Sequence, residues 1–204
     1  MNDIIKHLCQ ALEQEFDDIT IERKLKLIEL SDYIVSRKND EEIARLVVIC
    51  THNSRRSHMG QIWAQVAADY YGIRNIETFS GGTEATAFNP RAISAFKKVG
   101  FDINTIKKDD DNHRYELRWS EDMEAYQAFS KRYDDKPNPT EKFAAIMVCT
   151  SADEGCPIIT GCDFRLSLPY EDPKAYDDTG LEAEMYEKRL RQIGRDMLFC
   201  FSQI

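Results

Sequence analysis

The chain has 204 residues, with 27 lysines and arginines against 36 aspartates and glutamates, a formal net charge of −9, and 42% hydrophobic residues. This composition is that of an ordinary folded domain and argues against a disordered or fibrous chain. The acidic balance disfavours binding to nucleic acid or to an anionic membrane surface. No apolar run approaches the length of a membrane-spanning helix, and the first residues do not resemble a signal peptide. Six cysteines are too few for a secreted disulfide scaffold, so we expect free thiols in a reducing cytoplasm.

Residues 1–44 are predicted to form an N-terminal helical extension, because apolar residues recur there at a spacing of three to four. The positions that carry this pattern are Ile4, Ile5, Leu8, Leu12 and Phe16, and then Ile21, Leu25, Ile28 and Val35. The main interpretation is a helical hairpin packed on the rest of the chain. A dimerisation or partner arm is the alternative, which leaves open a homodimer through these helices.

Residues 45–204 alternate between strands and helices. The β-branched run 46–49 is typical of a strand buried on both faces, and a helix from Arg56 to Gly72 follows it. Further strands are predicted at 76–79, 143–148 and 164–168, with 80–83 as a turn, and further helices at 90–99 and 181–201. This order predicts an α/β fold, a small four-stranded parallel sheet with helices on both faces. Residues 102–142 change character and are predicted to be an insertion that contains one half-buried strand at 115–119.

The first predicted strand ends at Cys50, and in open parallel sheets ligands lie at the carboxyl ends of the strands. A loop that joins a strand to a helix start turns backbone N–H groups inward, and an arginine can hold two oxygens of a tetrahedral anion. The same positive field favours Cys50 as a thiolate nucleophile. The residues that this pattern assigns to oxyanion binding are Thr51, His52, Asn53, Ser54, Arg55, Arg56 and Ser57.

The run Val-Ile-Cys-Thr-x-Asn-Ser-x-Arg-Ser-x-Met, from residue 48 to 59, resembles the phosphate loop of the low-molecular-weight protein tyrosine phosphatases. It is more similar still to the thioredoxin-coupled arsenate reductases, which share that fold. The resemblance covers about residues 45–101 and 143–200. It implies an Asp-Pro general acid on a late loop, which Asp172-Pro173 matches. The chemistry agrees, because the oxygen displaced by a thiolate must be protonated.

Two further thiols follow the predicted strand 143–148, Cys149 directly and Cys156 seven residues later. The resemblance implies that Cys50 attacks arsenate, that Cys149 then forms a disulfide with Cys50 and expels arsenite, and that Cys156 resolves it. Thioredoxin would reduce the final Cys149–Cys156 disulfide. Seven helical residues span about 10 Å, whereas the Cα atoms of a disulfide lie within about 7 Å. If the segment 149–157 is helical when reduced, we therefore expect it to rearrange on oxidation.

Several departures from the family pattern keep alternatives open. His52 stands where the family usually keeps glycine, so we expect a demanding backbone conformation there, and Arg55 stands where many members carry a second cysteine. Asp172-Pro173 lacks the aromatic pair that phosphatases place after it, although Tyr170 and Tyr176 flank it. The alternatives to arsenate reduction are a phosphatase that hydrolyses phosphate monoesters through a Cys50 thiophosphate intermediate, and a non-catalytic anion or redox sensor.

The remaining cysteines carry weaker expectations. Cys9 and Cys200 lie on amphipathic helices and are predicted to be core thiols, whereas Cys162 is a competitor in disulfide exchange or a packing residue. The four histidines do not cluster with the thiols, so we expect no metal site, and nothing in the sequence calls for a cofactor.

Overall fold

The computed structural model describes residues 1–107, 111–155 and 158–204. Within these ranges the helices are α1 (Asp3–Glu13), α2 (Ile21–Asn39), α3 (Arg56–Tyr70), α4 (Pro90–Lys98), α5 (Thr150–Gly155) and α6 (Glu182–Ser202). The strands are β1 (Ala44–Cys50), β2 (Ile76–Gly82), β3 (Asp102–Lys107), β4 (Arg114–Arg118), β5 (Tyr126–Ala128), β6 (Phe143–Met147) and β7 (Cys162–Ser167). Short 3-10 helices occupy Phe16–Asp18 and Pro173–Tyr176.

Four strands form a parallel sheet in the order β2-β1-β6-β7, which confirms the predicted fold class. β1 is central and, apart from Arg45, buried along its whole length, as its continuous apolar sequence predicts. In the register of the sheet, Cys50 lies opposite Gly82 on β2, and Ile49 lies opposite Met147 on β6. The carboxyl ends of β1, β2 and β6 therefore meet at one edge of the sheet.

Helices flank this sheet. α3 packs on β1 and β2, α2 contacts β1 and β7, and the long α6 contacts α1, α2, α3 and α4. α4 begins as predicted, with Asn89 capping the N–H of Arg91 and proline at the first helical position. No helix among the described residues is long and apolar enough to cross a membrane.

The N-terminal helices lie against α6 and add their apolar faces to the core. The fully buried side chains that they contribute are Ile5, Cys9 and Leu12 from α1 and Leu27, Leu30 and Ile34 from α2. Between α2 and α6, the Ser31 hydroxyl donates a hydrogen bond to the Cys200 carbonyl at 2.7 Å. Burial raises the pKa of the Cys9 and Cys200 thiols to about 12, which makes both unreactive. The division of the chain at residue 44 stays a prediction.

The sequence interpretation of residues 80–83 as a turn was wrong for Ser80 to Gly82, which continue β2. These residues pair with the end of β1, and their outer edge bonds to the later segment 129–138. The Gly82 N–H donates to the Lys131 carbonyl, and the Tyr133 N–H donates to the Gly82 carbonyl, both at 2.9 Å. Glycine and serine were read as a turn signal because partners 50 residues away are invisible in a local pattern.

Within the predicted insertion, three strands form a second, antiparallel sheet in the order β3-β4-β5. The predicted half-buried strand is its central strand, β4. The outer strands were not predicted. β3 has a single buried position among exposed ones, so its sequence lacks the pattern of a half-buried strand, and β5 has only three residues. The buried Asn138 amide ties the end of this segment to the main sheet by donating to the Ser80 carbonyl at 3.0 Å.

Candidate active site

Cys50 lies at the carboxyl end of β1 and is only 4% exposed. Its Sγ lies 3.1 Å from the hydroxyl of Ser57 in the first turn of α3. That hydroxyl accepts a hydrogen bond from the Asn53 amide at 2.9 Å, so its own proton is available to the sulfur. The Ser57 hydroxyl is therefore placed to donate a hydrogen bond to the Cys50 sulfur.

Carbonyl groups of the loop between β1 and α3 point outward and are hydrogen-bonded to neighbouring segments. Thr51 O accepts from the N–H of Glu84 at 2.8 Å, and Ser54 O accepts from the N–H of Asn89 at 2.9 Å. Among the described residues, none accepts a hydrogen bond from the backbone N–H groups of residues 51–56. A loop with bonded carbonyls and unpaired N–H groups at the start of a 15-residue helix is suited to hold an anion.

Asn53, and not His52, has the demanding backbone conformation in this loop. Its φ is 45°, in the left-handed region that asparagine tolerates better than most residues, and its side chain is fully buried. The expectation that His52 would be strained in place of glycine was therefore wrong. The His52 side chain turns to solvent, 51% exposed, with Nε2 3.9 Å from a Glu84 carboxylate oxygen. It belongs to the rim of the loop.

The two arginines of the loop are held differently. The Arg55 guanidinium donates to the Tyr186 hydroxyl at 2.7 Å and to Asp177 at 3.3 Å, so Arg55 offers its backbone N–H to the loop. Arg56 donates to the Tyr170 carbonyl at 2.8 Å and to the Asp172 carboxylate at 2.6 Å. Asp172 thus lies next to the arginine that the sequence assigned to the anion, as a general acid for the departing oxygen must.

Asp172 is also fixed from its own side. Its second carboxylate oxygen accepts from the Lys174 N–H at 3.1 Å and caps the 3-10 helix Pro173–Tyr176. An incoming dianion competes with this carboxylate for Arg56, since both are negative ligands of the same guanidinium. Substrate binding would therefore release the Asp172 carboxylate from its ion pair with Arg56.

Cys149 follows β6, the neighbour of β1, and is 2% exposed. Its Sγ lies 3.4 Å from the Thr51 hydroxyl, so it borders the oxyanion loop directly. Both Cys50 and Cys149 are free thiols. Cys156 lies outside the described residues. Cys162 stands at the start of β7, at the opposite end of the parallel sheet from Cys50 and Cys149, and its thiol donates to the Ile159 carbonyl.

Three residues that support the loop were missed by sequence reasoning. The Lys131 N–H donates to the Asn53 side-chain carbonyl at 2.9 Å, and the Ser130 hydroxyl donates to the His52 carbonyl at 3.1 Å. Gly82 lies beside the loop so closely that a Cβ there would be 2.7 Å from both Asn53 N and Thr51 O. The glycines that follow the predicted strand 76–79 were the one available signal. The segment 129–138 thus holds the loop from behind.

Lys131 also buries its side chain behind the loop. It is 5% exposed, its ammonium lies 4.8 Å from the Phe129 ring centroid, and burial lowers its pKa to about 8. Burial, together with the charge of Lys131, likewise lowers the pKa of the fully buried His58 well below its usual range. This region therefore buries both a neutral histidine and a cation whose burial is costly.

The pKa of Lys131 makes the stability of the protein depend on pH. The folded-state pKa of Lys131, about 8, lies below that of an unfolded lysine, so burying the charged ammonium destabilises the fold most at neutral pH. As the pH rises above 8, the folded protein loses this proton before the unfolded chain does, and the destabilisation becomes smaller. We expect Lys131→Met to raise the free energy of unfolding at pH 7 by up to about 3 kcal/mol, falling to about 1 kcal/mol at pH 9.5. Urea unfolding at the two pH values measures this difference. A gain that is equal at both would contradict it.

Known proteins resemble large parts of this chain. No family model matches the chain. Arsenate reductase 2 from Staphylococcus haemolyticus (strain JCSC1435) is 32% identical over 126 residues, which make up 61% of this chain and 75% of that protein. Arsenate reductase from Staphylococcus aureus (strain Newman) is 44% identical over 62 residues, 30% of this chain and 44% of that protein.

The solved structures that resemble the chain share its fold at low sequence identity. A low-molecular-weight protein tyrosine phosphatase from T. tengcongensis matches with a TM-score of 0.51 and 17% identity, and covers 79% of this chain and 99% of its own. A mutant of YwlE from Bacillus subtilis matches with a TM-score of 0.51 and 14% identity, and covers 78% of this chain and 97% of its own.

The fold and the relatives define the class first: the protein is an enzyme with the low-molecular-weight tyrosine phosphatase fold. The relative from Staphylococcus haemolyticus then narrows the class, because it shares nearly a third of its residues over three quarters of its length. The chain belongs to the arsenate reductase family of this fold.

Proposed function

We propose that this protein reduces arsenate to arsenite by a cysteine relay. The observation that carries the proposal is the pair of buried free thiols, Cys50 and Cys149, at the carboxyl ends of adjacent parallel strands beside one oxyanion loop. A phosphatase needs the first thiol alone. The second is required where the bound oxyanion must gain two electrons and not merely be transferred to water.

The first step joins arsenate to Cys50. The N–H groups of residues 51–56 and the Arg56 guanidinium bind the oxyanion, and the Cys50 thiolate attacks arsenic. One As–O bond breaks as the S–As bond forms, and Asp172 gives its proton to the departing oxygen, which leaves as water. The product is a covalent arseno-cysteine in which arsenic is still pentavalent.

The second step reduces arsenic. The Cys149 thiolate attacks the Cys50 sulfur, the S–As bond breaks, and its electron pair stays on arsenic, so that arsenite leaves and a Cys50–Cys149 disulfide remains. Continuing the sheet register places Cys149 opposite Thr51, one residue beyond Cys50. Strands lie about 4.8 Å apart, so a one-residue offset brings the Cα separation within the roughly 7 Å limit for a disulfide. Because β6 ends at Met147, the side chain of Cys149 is not held to the alternation of a strand, which would point it to the face opposite Cys50. Two thiols lose the two electrons that arsenic gains.

The third step transfers the disulfide bond to a third cysteine. As free thiols, Cys50 and Cys149 are 4% and 2% exposed, so a disulfide formed between them in place would not be open to a reductant protein. A further thiol is therefore needed, and we assign it to Cys156, which attacks Cys149 and releases Cys50 as a thiolate. The helix α5 between the two, Thr150–Gly155, would then rearrange. Thioredoxin reduces the Cys149–Cys156 disulfide, in keeping with a cytoplasmic location.

The matched substitution Cys149→Ser tests the relay. We expect it to abolish multiple-turnover arsenate reduction, measured as NADPH consumption with thioredoxin and thioredoxin reductase, because the arseno-cysteine then has no internal thiol to attack it. Hydrolysis of p-nitrophenyl phosphate is expected to stay within a few-fold of wild type, since it needs only Cys50, Arg56 and Asp172. Cys162→Ser, at the other end of the sheet, is the control and should leave both rates unchanged.

Either of two results would contradict this assignment. Arsenate-dependent NADPH consumption that survives in Cys149→Ser would remove Cys149 from the relay. A wild-type protein that hydrolyses the ester but never consumes NADPH with arsenate would make phosphate-monoester hydrolysis, through a Cys50 thiophosphate, the activity. That second candidate is favoured by the Arg56–Asp172 pair, which serves ester hydrolysis equally well.

The structure supports phosphotyrosine as a substrate less well than it supports arsenate. Tyr170 is 5% exposed, and its ring packs against the guanidinium of Arg23 at 4.2 Å, so it is not free to stack on a substrate ring. The sequence left this role open to Tyr170 and Tyr176, and only Tyr176 is partly exposed. A homodimer through α1 and α2 stays a prediction. Ile4 on α1 and both Ile21 and Leu25 on α2 are the exposed apolar side chains that it would cover.

A further inference from the structure

The loop that carries Asp172 contacts the N-terminal helix α2 directly. Arg23, in the first turn of α2, donates from Nη1 to the Pro169 carbonyl at 3.1 Å, and its guanidinium lies 4.2 Å from the centroid of the Tyr170 ring. We call residues 168–173 the acid loop. Arg23 thus holds two consecutive residues of the acid loop, one by hydrogen bond and one by its planar face.

A buried carboxylate on α6 fixes Arg23 in this position. Arg23 Nε donates to the carboxylate of Asp196 at 2.6 Å, and Asp196 is fully buried. The Arg23 side chain is itself only 18% exposed. Because burying a carboxylate without a partner is costly, the Asp196–Arg23 pair is strongly held and sets the direction of the guanidinium.

The acid loop also contacts the oxyanion site directly. The carbonyl of Tyr170 accepts from Arg56 at 2.8 Å, and the other Arg56 nitrogen bonds Asp172 at 2.6 Å. The N–H of Tyr170 donates to the Val148 carbonyl, next to Cys149. Tyr170 therefore has its ring held by Arg23 on one side and its carbonyl placed against Arg56 on the other.

We propose that Arg23 is a positioning residue of the active site, through which the N-terminal extension sets the acid loop and hence the relative placement of Arg56 and Asp172. This inference rests on the proposed function for the roles of Arg56 and Asp172. Arg23 touches no substrate atom. It acts by fixing Tyr170, whose carbonyl orients the arginine that binds the oxyanion.

Arg23→Lys is the informative substitution. It keeps a positive charge for Asp196, so the fold is preserved better than with a neutral residue, but an ammonium cannot bond Asp196 and Pro169 while stacking on Tyr170. Lys24→Gln is the matched control on the same helical turn, since Lys24 pairs with the exposed Asp17 and not with the acid loop. Thermal unfolding of all three proteins establishes that each is folded at the assay temperature.

The first readout is the ratio of kcat/KM for p-nitrophenyl phosphate to that for phenyl phosphate. A misplaced acid slows the poorer leaving group more, and the ratio does not depend on how much protein is folded. We expect Arg23→Lys to raise this ratio about 10-fold, with kcat for phenyl phosphate falling by up to about 100-fold. Lys24→Gln should leave the ratio unchanged.

The second readout does not need turnover. Inorganic phosphate should protect Cys50 from alkylation by iodoacetamide, located by mass spectrometry, and Arg23→Lys should raise the half-protecting concentration about 10-fold. Amide hydrogen exchange in residues 168–176 should be faster in Arg23→Lys alone. A wild-type ratio, wild-type protection and wild-type exchange in Arg23→Lys would overturn the proposal. If phosphate failed to protect even the wild type, the oxyanion site itself would be wrong, whereas the exchange rates would still decide whether Arg23 holds the acid loop.

Discussion

Replacement of Cys50 by serine is expected to abolish both arsenate reduction and phosphate-ester hydrolysis. The two reactions share the attack of the Cys50 sulfur, and a serine hydroxyl in the same place has no adjacent base to deprotonate it. Loss of a nucleophile costs about 10⁴-fold or more in kcat. Initial rates with p-nitrophenyl phosphate, and with arsenate plus thioredoxin, thioredoxin reductase and NADPH, measure the loss.

Binding should survive this substitution. The N–H groups of residues 51–56 and the Arg56 guanidinium are untouched in Cys50→Ser, so the variant is expected to bind phosphate and arsenate within a few-fold of wild type by calorimetry. Cys162→Ser is again the control for loss of a thiol elsewhere. Measurable turnover of either substrate by Cys50→Ser would show that another residue is the nucleophile.

Replacement of Asp172 by asparagine is expected to slow the hydrolysis of phenyl phosphate by about 10²–10⁴-fold. Asparagine keeps the shape of the side chain and an oxygen for Arg56, but it has no proton to give to the leaving oxygen. The loss with p-nitrophenyl phosphate should be smaller, because p-nitrophenolate leaves without full protonation. Steady-state kinetics with the two esters between pH 5 and 8 measures both effects.

Asp178→Asn provides the matched control for this prediction. Asp178 lies six residues further on and its exposed carboxylate bonds Arg91 at 2.6 Å, so the substitution removes one nearby negative charge without touching the acid loop. Equal losses for the two esters in Asp172→Asn would indicate that Asp172 only orients Arg56. No loss in either would place the general acid elsewhere.

The parallel sheet and the oxyanion loop could be predicted because each is specified by short, continuous stretches of sequence. A β-branched run such as Val47-Val48-Ile49 specifies a buried strand by itself, and the loop from Cys50 to Ser57 lies between that strand and a periodic helix. The prediction failed at the end of β2, because its glycines pair with residues of a distant segment and a local pattern does not show such partners.

The supports of the site could not be predicted, because they join residues far apart in the chain. Lys131 bonds Asn53 across 78 positions, and Arg23 bonds Pro169 across 146. Neither residue belongs to a motif, and a lone lysine or arginine in a polar stretch ordinarily lies on a solvated surface. Only the folded arrangement shows that two segments outside the family-like stretches, the N-terminal helices and the insertion, hold the loop and the acid.

Both edge strands of the parallel sheet carry contacts that disfavour pairing with another molecule. At β2, the Gly82–Arg132 bridge and the backbone of Tyr133, packed on Gly81, occupy the outer edge. At β7, charged residues point outward and are tied down, Asp163 by Arg37 of α2 and Arg165 by Asp153 of α5. An unprotected edge strand recruits strands from other molecules and leads to aggregation. Removing the segment 129–138, or the helix α2 that holds Asp163, would therefore do more than weaken the site, since it would open an edge strand of the sheet to pairing with other molecules.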